Sequence, residues 1–363
     1  MDPVTHMALG AAVGHFVGGR RLGWIAPVAG AAAALVPDLD IFWPLPERSV
    51  DYYNVHRGIT HSLFFGPVVG GVIGYGAARI HRAVRSRRGQ PFGETDAQAV
   101  TRTWIAIVIL AMVTHVLNDA FTVYGTQLFA PFSNRQFGLP AVPVIDPAYT
   151  LILIGGLILA WRSGWARPRA RGMTLGALVL STGYLLLALA QNERARDLVF
   201  ADPGAQERIV TDYEVTTTMF SPWLRRIVTQ ESDSLHIGFV STLRPREINW
   251  MRIDREPQAE ALADAAFATP EGEIYRRFAR GIIHPHIVEG HDGGLVLRIG
   301  DMRYASPGAA ERGMWGVEWP LAQGDDGLEI GGEGLRFTQR SEANAHVLRA
   351  LFQAKAGQEN DVF

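Results

Sequence analysis

Apolar and polar positions alternate on two different scales along the chain. Residues 1–191 carry long apolar runs rich in Ala, Gly, Leu, Ile and Val. Residues 192–363 carry charges at the density of a water-facing domain. Four runs predict membrane-spanning helices: roughly 62–80, 103–123, 148–161 and 172–190. About 20 apolar residues are needed to cross about 30 Å of hydrocarbon, so the third requires its flanks. Two further stretches, 4–19 and 24–43, are apolar but broken by Gly and Pro. They predict spans, or a re-entrant hairpin buried in the bundle. The expected fold is therefore an all-α polytopic membrane helical bundle of about six segments over residues 1–191. A soluble α+β or β-rich domain is expected over 192–363. There, the period-two alternation in 208–255 and again in GLVLRIGDMRYAS and GVEWPLA predicts strands. Residues 258–280 and 341–354 read as helical.

Charge then gives the segments a direction. Arg20 and Arg21 follow the first stretch. Arg79, Arg82, Arg85, Arg87, Arg88 and Arg102 lie between the 62–80 and 103–123 runs. Arg162, Arg167, Arg169 and Arg171 lie between the last two. The alternate loops hold only Arg48, Arg57 and Arg135. Basic loops stay cytoplasmic, so six spans put the N-terminus and the C-terminal half outside the bacterial inner membrane. The start, MDPVTHMALGAAVGHFVGG, lacks the basic n-region of a cleaved signal. With a net charge of −2, nothing calls for a nucleic-acid partner. The chain contains no cysteine, which excludes disulfides and thiolate metal sites.

Titratable residues recur at one expected depth, near the outer face. His6 opens the first stretch. Asp38 and Asp40 lie in LVPDLD, His56 and His61 in HRGITHS, and His115 and Asp119 in THVLND. His115 and Asp119, four apart, share one helical face and form a two-ligand platform. In PDLD the proline ends a helix and both carboxylates project from the turn. An acid in an apolar helix is functional by default, since its burial is costly. Nitrogen and oxygen donors without sulfur suit Zn²⁺ first, with Mn²⁺ or Fe²⁺ as alternatives. Seven candidates exceed the need of one tetrahedral ion, so two or more ions are expected, an arrangement suited to phosphoester displacement. Arg57, between His56 and His61, is expected either to clamp a phosphate or a developing anion or to stand as a loop arginine at the lipid headgroup level. The segment 124–138 is expected to roof the site or anchor at the interface. His15 and His81 lack a motif and read as structural. His284, His286 and His291 in IIHPHIVEGH read as a surface loop.

THMALGAA, LVPDLD, HRGITHS and THVLNDAFTVYGTQLFAPFSNRQF, in that order, resemble the YdjM/YbcI-type membrane-bound metal-dependent hydrolases. The resemblance covers at least residues 4–150. It extends distantly to the zinc-dependent phospholipase C and single-strand nuclease superfamily, helical proteins that hold several zinc ions with His and Asp. It implies His6, Asp38, His56, His61, His115 and Asp119 as ligands, and Asp40 as ligand or general base. That superfamily also uses an N-terminal tryptophan, where this chain has Met1-Asp2. The family often carries a C-terminal domain with an element like Gly300-Asp301-Met302-Arg303-Tyr304.

The leading expectation is a hydrolase of phosphoester or lipid-linked substrates at the outer membrane–water interface, with membrane lipid or a lipid-linked molecule as its partner. A metal-stabilised scaffold or regulator that binds a partner through its C-terminal domain is the second reading. A transporter is weaker, because the ligands gather at one face instead of midway across the bundle.

Overall fold

The structure is a computed structural model and describes residues 1–218, 221–290, 292–304, 313–325 and 327–338. The expected helix at 341–354 and His291 lie outside them. The chain divides into two compact units. The first holds Met1–Trp43 and His56–Leu189; the second holds Pro44–Val55 and the chain from Ala190 onward.

The first unit is helical. It comprises α1 (Pro3–Leu22) and α2 (Ile25–Ala34), then a 3₁₀ turn, Pro37–Phe42. The short α3 (Tyr52–Val55) belongs to the second unit. A second 3₁₀ turn, Ile59–His61, and a π-helical turn, Gly66–Gly70, lead into α4 (Gly71–Arg87). Then follow α5 (Glu94–Asp119), α6 (Pro147–Ser163) and α7 (Pro168–Ala201), whose last residues enter the second unit. Asp2 caps α1, accepting from the Val4 and Thr5 N–H groups, with Pro3 at the first helical position. α1 and α2 approach so closely that a Cβ on Gly30 would stand 2.0 Å from the Gly10 carbonyl oxygen. One on Gly14 would stand 2.4 Å from that of Ala26. Small residues allow such backbone contact, and without a water-driven hydrophobic term it is the main source of helix cohesion in lipid. α1 also meets α5, where a Cβ on Gly18 would strike Ile107.

The expectation of about six spans is not supported. Two described helices, α5 and α7, are long and apolar enough to cross a membrane. A third counts only if Gly66–Arg87 is joined across a sharp bend to the segment before it. α2 has 10 residues and α6 has 17. At 1.5 Å per residue they reach about 15 and about 26 Å, short of the hydrocarbon thickness. The 24–43 stretch fails as a span because Pro37 ends the α-helical run and a 3₁₀ turn follows.

The second unit is β-rich, with the expected helical insertion. Strands β1 (Asp212–Thr218), β2 (Ser221–Gln230), β3 (Ser234–Ser241) and β4 (Met251–Asp254) form one antiparallel sheet in sequence order. A short α8 (Pro203–Gln206) precedes it, and α9 (Pro257–Phe267) and α10 (Pro270–Ala279) follow. Thr269 caps α10 by accepting from the Gly272 N–H, which splits the predicted 258–280 helix in two. Strands β5 (Ile283–Glu289), β6 (Leu295–Asp301), β7 (Trp315–Gly324) and β8 (Gly327–Ile330) form a second antiparallel sheet, with β9 (Leu335–Thr338) also paired to β7. Every residue of β3 is buried. Ala195 and Val199 of α7 pack with Ile227 and Val240 in one core; Leu235 and Ile237 pack with Ile282 and Met302 in another. The IIHPHIVE segment is therefore a buried strand, not a surface loop, because its apolar positions face the core beside β6.

Segment 44–55 is built into this second unit. Ser49 bridges to Leu335, and the Arg336 N–H donates to the Arg48 carbonyl at 2.8 Å. Arg48 Nη2 reaches Glu318 at 2.5 Å. Tyr53 is buried, stacked on Phe278 with ring centres 4.3 Å apart.

The Gly-Asp-Met-Arg-Tyr element forms a buried ion pair. Arg303 Nη2 donates to Asp301 Oδ2 at 2.6 Å and Nε to Oδ1 at 2.9 Å, both side chains fully enclosed. Burial alone would lower the guanidinium pKa; the Asp301 charge more than reverses that. Removing one partner of such a pair strands the other charge, at about 3–5 kcal/mol. Asp301→Asn should therefore destabilise this unit by that order, with faster hydrogen exchange in β6 and β7. Unchanged exchange and thermal unfolding would show that the pair is not what holds this corner.

Candidate metal centre

Four side chains of the first unit converge: Asp38 from the Pro37–Phe42 turn, His61 from the Ile59–His61 turn, and His115 and Asp119 from the end of α5. One ligand atom from each lies within 4.8 Å of all the others. The separations are more informative than the cluster. His61 Nε2 stands 3.2 Å from His115 Nε2, 3.4 Å from Asp38 Oδ1 and 3.4 Å from Asp119 Oδ2. His115 Nε2 stands 3.5 Å from each of the same carboxylate oxygens. Donors about 2.0–2.15 Å from one tetrahedral ion stand about 3.3–3.5 Å apart. Four of these five separations fall in that range, and the His61–His115 one, at 3.2 Å, lies just below it; the sixth edge, Asp38 to Asp119, is within 4.8 Å.

The surroundings fit a cation as well. Asp119 Oδ2, His115 Nδ1 and both nitrogens of His6 are buried without a hydrogen-bond partner among the described residues. Carboxylate oxygens and imidazole nitrogens facing one point in a dry interior repel one another unless a positive charge lies among them. Three of the four ligand side chains have no exposure; Asp38 alone retains 22%. Among the described residues, the ligand group is thus exposed at Asp38.

The other candidates stand around this group. His6 stacks on His115, ring centres 3.6 Å apart, with Nε2 3.1 Å from Asp119 Oδ1. That same oxygen faces Arg57 Nη2 at 3.2 Å and pairs with the Met1 amino group. Asp40 lies outside the four. Its Oδ1 is 2.8 Å from His56 Nδ1, and its Oδ2 is 3.2 Å from His61 Nδ1. Asp40 Oδ2 also accepts from the Thr60 hydroxyl at 2.9 Å and the Arg57 N–H at 3.0 Å. Burial would raise the Asp40 carboxyl, but hydrogen bonds with His56 and His61 hold it well below the usual carboxylate range. A carboxylate behind the Nδ1 of a ligating imidazole fixes the tautomer that leaves Nε2 free for the ion.

Local backbone chemistry explains how the turn delivers these groups. Arg57 takes a left-handed conformation, φ +60°, uncommon for a side chain that is not Gly, Asn or Asp. It is held there by its N–H on Asp40 and by the Gln127 N–H on its carbonyl. The reversal sends His56 to one side of Asp40 and His61 to the other. The guanidinium is buried: Nη1 donates to Thr122 at 2.8 Å, and the group lies over the Tyr124 ring. Thr60, inside HRGITHS, and Thr122, three residues after Asp119, carry parts of this network that sequence reasoning did not single out. His15 and His81 stay apart. His15 bonds Thr174 and the Trp165 carbonyl, and His81 accepts from Trp104. His284 and His286 stack on each other in the second unit, with no metal-binding group around them among the described residues.

The family model of the YdjM inner membrane proteins matches residues 1–195. The chain belongs to that family. It is 27% identical over 208 residues to the Bacillus subtilis (strain 168) protein named "Uncharacterized protein YfhP". That match covers 54% of this chain and 56% of the relative, so the chain spans little over half the length of the curated relative it matches. No solved structure matches the chain.

His61→Ala and His115→Ala should each weaken zinc binding by more than about 100-fold, since even outer partners of a ligand contribute about 10–100-fold. His284→Ala and His286→Ala should leave it unchanged. Elemental analysis of purified protein checks this; full zinc content in both the His61 and His115 variants would remove the site.

Proposed function

We propose that this YdjM-family chain is a metal-dependent hydrolase of phosphoester or lipid-linked substrates, with one zinc-class ion held by Asp38, His61, His115 and Asp119. The observation that carries the reading is the surplus around the four: His6, Asp40, His56 and Arg57 surround a group that would already complete a purely structural site. The part-exposed Asp38 supplies the approach. A divalent ion bound there would acidify a water molecule and polarise a phosphoryl oxygen. The chain's own residues have separable parts. Asp40 orients His56 and His61; its oxygens already accept from His56, Thr60 and the Arg57 backbone, which suits positioning better than proton removal. His6 is the better candidate for moving a proton, stacked on His115 with Nε2 3.1 Å from Asp119 Oδ1. Arg57 offsets the Asp119 charge instead of reaching for substrate.

One observation favours the second reading, a metal-stabilised scaffold. Four protein ligands make a closed tetrahedral set, and catalytic zinc sites keep a position open. Cobalt-substituted protein separates the two. A visible spectrum that responds to inorganic phosphate, with turnover of a phosphodiester or lipid-linked phosphate, supports the hydrolase. A spectrum indifferent to phosphate and the absence of turnover support the scaffold. Asp40→Asn should weaken metal binding by about 10–100-fold while leaving the pH profile of any turnover in place, whereas Asp119→Asn should abolish binding. A lost acid limb in the Asp40 variant would return Asp40 to the role of base.

The arginines support a multi-pass arrangement with the metal end of α5 and the C-terminal unit outside the cytoplasm. α5 and α7 both begin at arginine-rich ends, so they run in the same direction; the chain between them has to return, and α6, too short by itself, needs its flanking residues to do so. Reporter fusions at residues 90 and 166 should read cytoplasmic and those at 130 and 210 external. An external signal at 90 or 166 would overturn this arrangement.

A further inference from the structure

The loops that carry the ligands present their apolar side chains outward. Leu39 sits between the two carboxylates of the first turn and is exposed, and Ile41, Phe42 and Trp43 follow it, all exposed. Ile59, two residues before His61, is exposed too. Phe132 is 81% exposed and meets the half-exposed Phe64 edge-on, ring centres 5.3 Å apart. In water, such a collar around a polar centre would be an adhesive patch.

Depth along α5 says what covers it. The last charge before the metal ligands on that helix is Arg102, exposed at its arginine-rich end. His115 and Asp119 follow 13 and 17 residues later. That places them about 20 and about 26 Å further along the axis. The hydrocarbon layer is about 30 Å thick, and tilt shortens the projected depth further. The ligand cluster therefore lies at or below the far hydrocarbon boundary, and the collar occupies the remaining thickness. Arg135, three residues after Phe132, is exposed.

We infer that the metal site is reached sideways from the bilayer, and that its substrate is a membrane-resident amphiphile whose acyl chains lie against Phe42, Trp43, Ile59 and Phe132 while its phosphoester head meets the exposed edge of Asp38. This deepens the hydrolase reading and rests on it. The geometric part, the collar in lipid, stands or falls separately. A substrate already dissolved in the bilayer brings its apolar part without having to desolvate it, and the exposed edge of Asp38 admits a head group at that level.

The chain has no cysteine, so single labels are unique. Phe42→Cys, Ile59→Cys and Phe132→Cys, each nitroxide-labelled in the full zinc-loaded chain, are placed in phosphatidylethanolamine–phosphatidylglycerol vesicles, with Arg88→Cys as a water-facing control. The three labels should be relaxed strongly by oxygen and weakly by a water-soluble nickel complex, the reverse of the control. Labels as accessible to nickel as the control would overturn the inference and leave the hydrolase reading untouched. In the second arm, a long-chain phosphodiester lipid in the vesicle should be cleaved at least about tenfold more efficiently than its short-chain soluble analogue. Equal efficiency would overturn lateral access. No cleavage of either, with labels in lipid, would overturn the hydrolase reading and the substrate assignment with it, while the collar's place in the bilayer would stand.

Discussion

A carboxylate at the end of an apolar helix, with no exposure to water, is the constraint on which the first unit turns. Left alone, Asp119 would be protonated or would unravel the end of α5. Instead, His6, His61, His115, Arg57 and the Met1 amino group all face it. Those partners come from α1, from the turn after Arg57 and from α5 itself. To bring α1 close enough, its backbone has to touch that of α2, which is why Gly10, Gly14 and Gly30 meet with no room for a methyl group. The helix packing and the site are thus two consequences of one buried charge.

Much of this was legible in the sequence. His115 and Asp119 are four apart on a helix, and that spacing alone places both donors on one face. The acidic turn after a proline and the paired histidines of HRGITHS were visible as well. What spacing could not reveal was the division of labour between Asp38 and Asp40. They differ by two residues in one short 3₁₀ turn, and their side chains leave it in different directions: one to the ligand group, one to the back of two imidazoles. Nor could it reveal that Arg57 would be turned inward, since a left-handed arginine is set by its hydrogen bonds and not by its propensity. The six-segment count failed for a related reason. Apolar composition reads burial, and α2 is apolar because its backbone lies against α1, not because it crosses a bilayer.

In the second unit the strands were readable from their residue types even where both faces are covered, as along β3 and over Leu224–Thr229 of β2. The histidines of β5, read as a surface loop, are instead buried on a strand paired with β6 along its whole length. The Asp301–Arg303 pair shows how two residues of one short turn can satisfy each other's buried charge.

The segment between Asp40 and His56 belongs to the second unit, and that has a consequence in time. A protein emerges from the ribosome from its first residue to its last. Arg48 finds its backbone partner at Arg336, 288 residues downstream. The segment's other partners, Phe278 for Tyr53 and Glu318 for Arg48, are also made more than 200 residues after it. The 44–55 connection is thus among the earliest segments translated and among the last to find its partners.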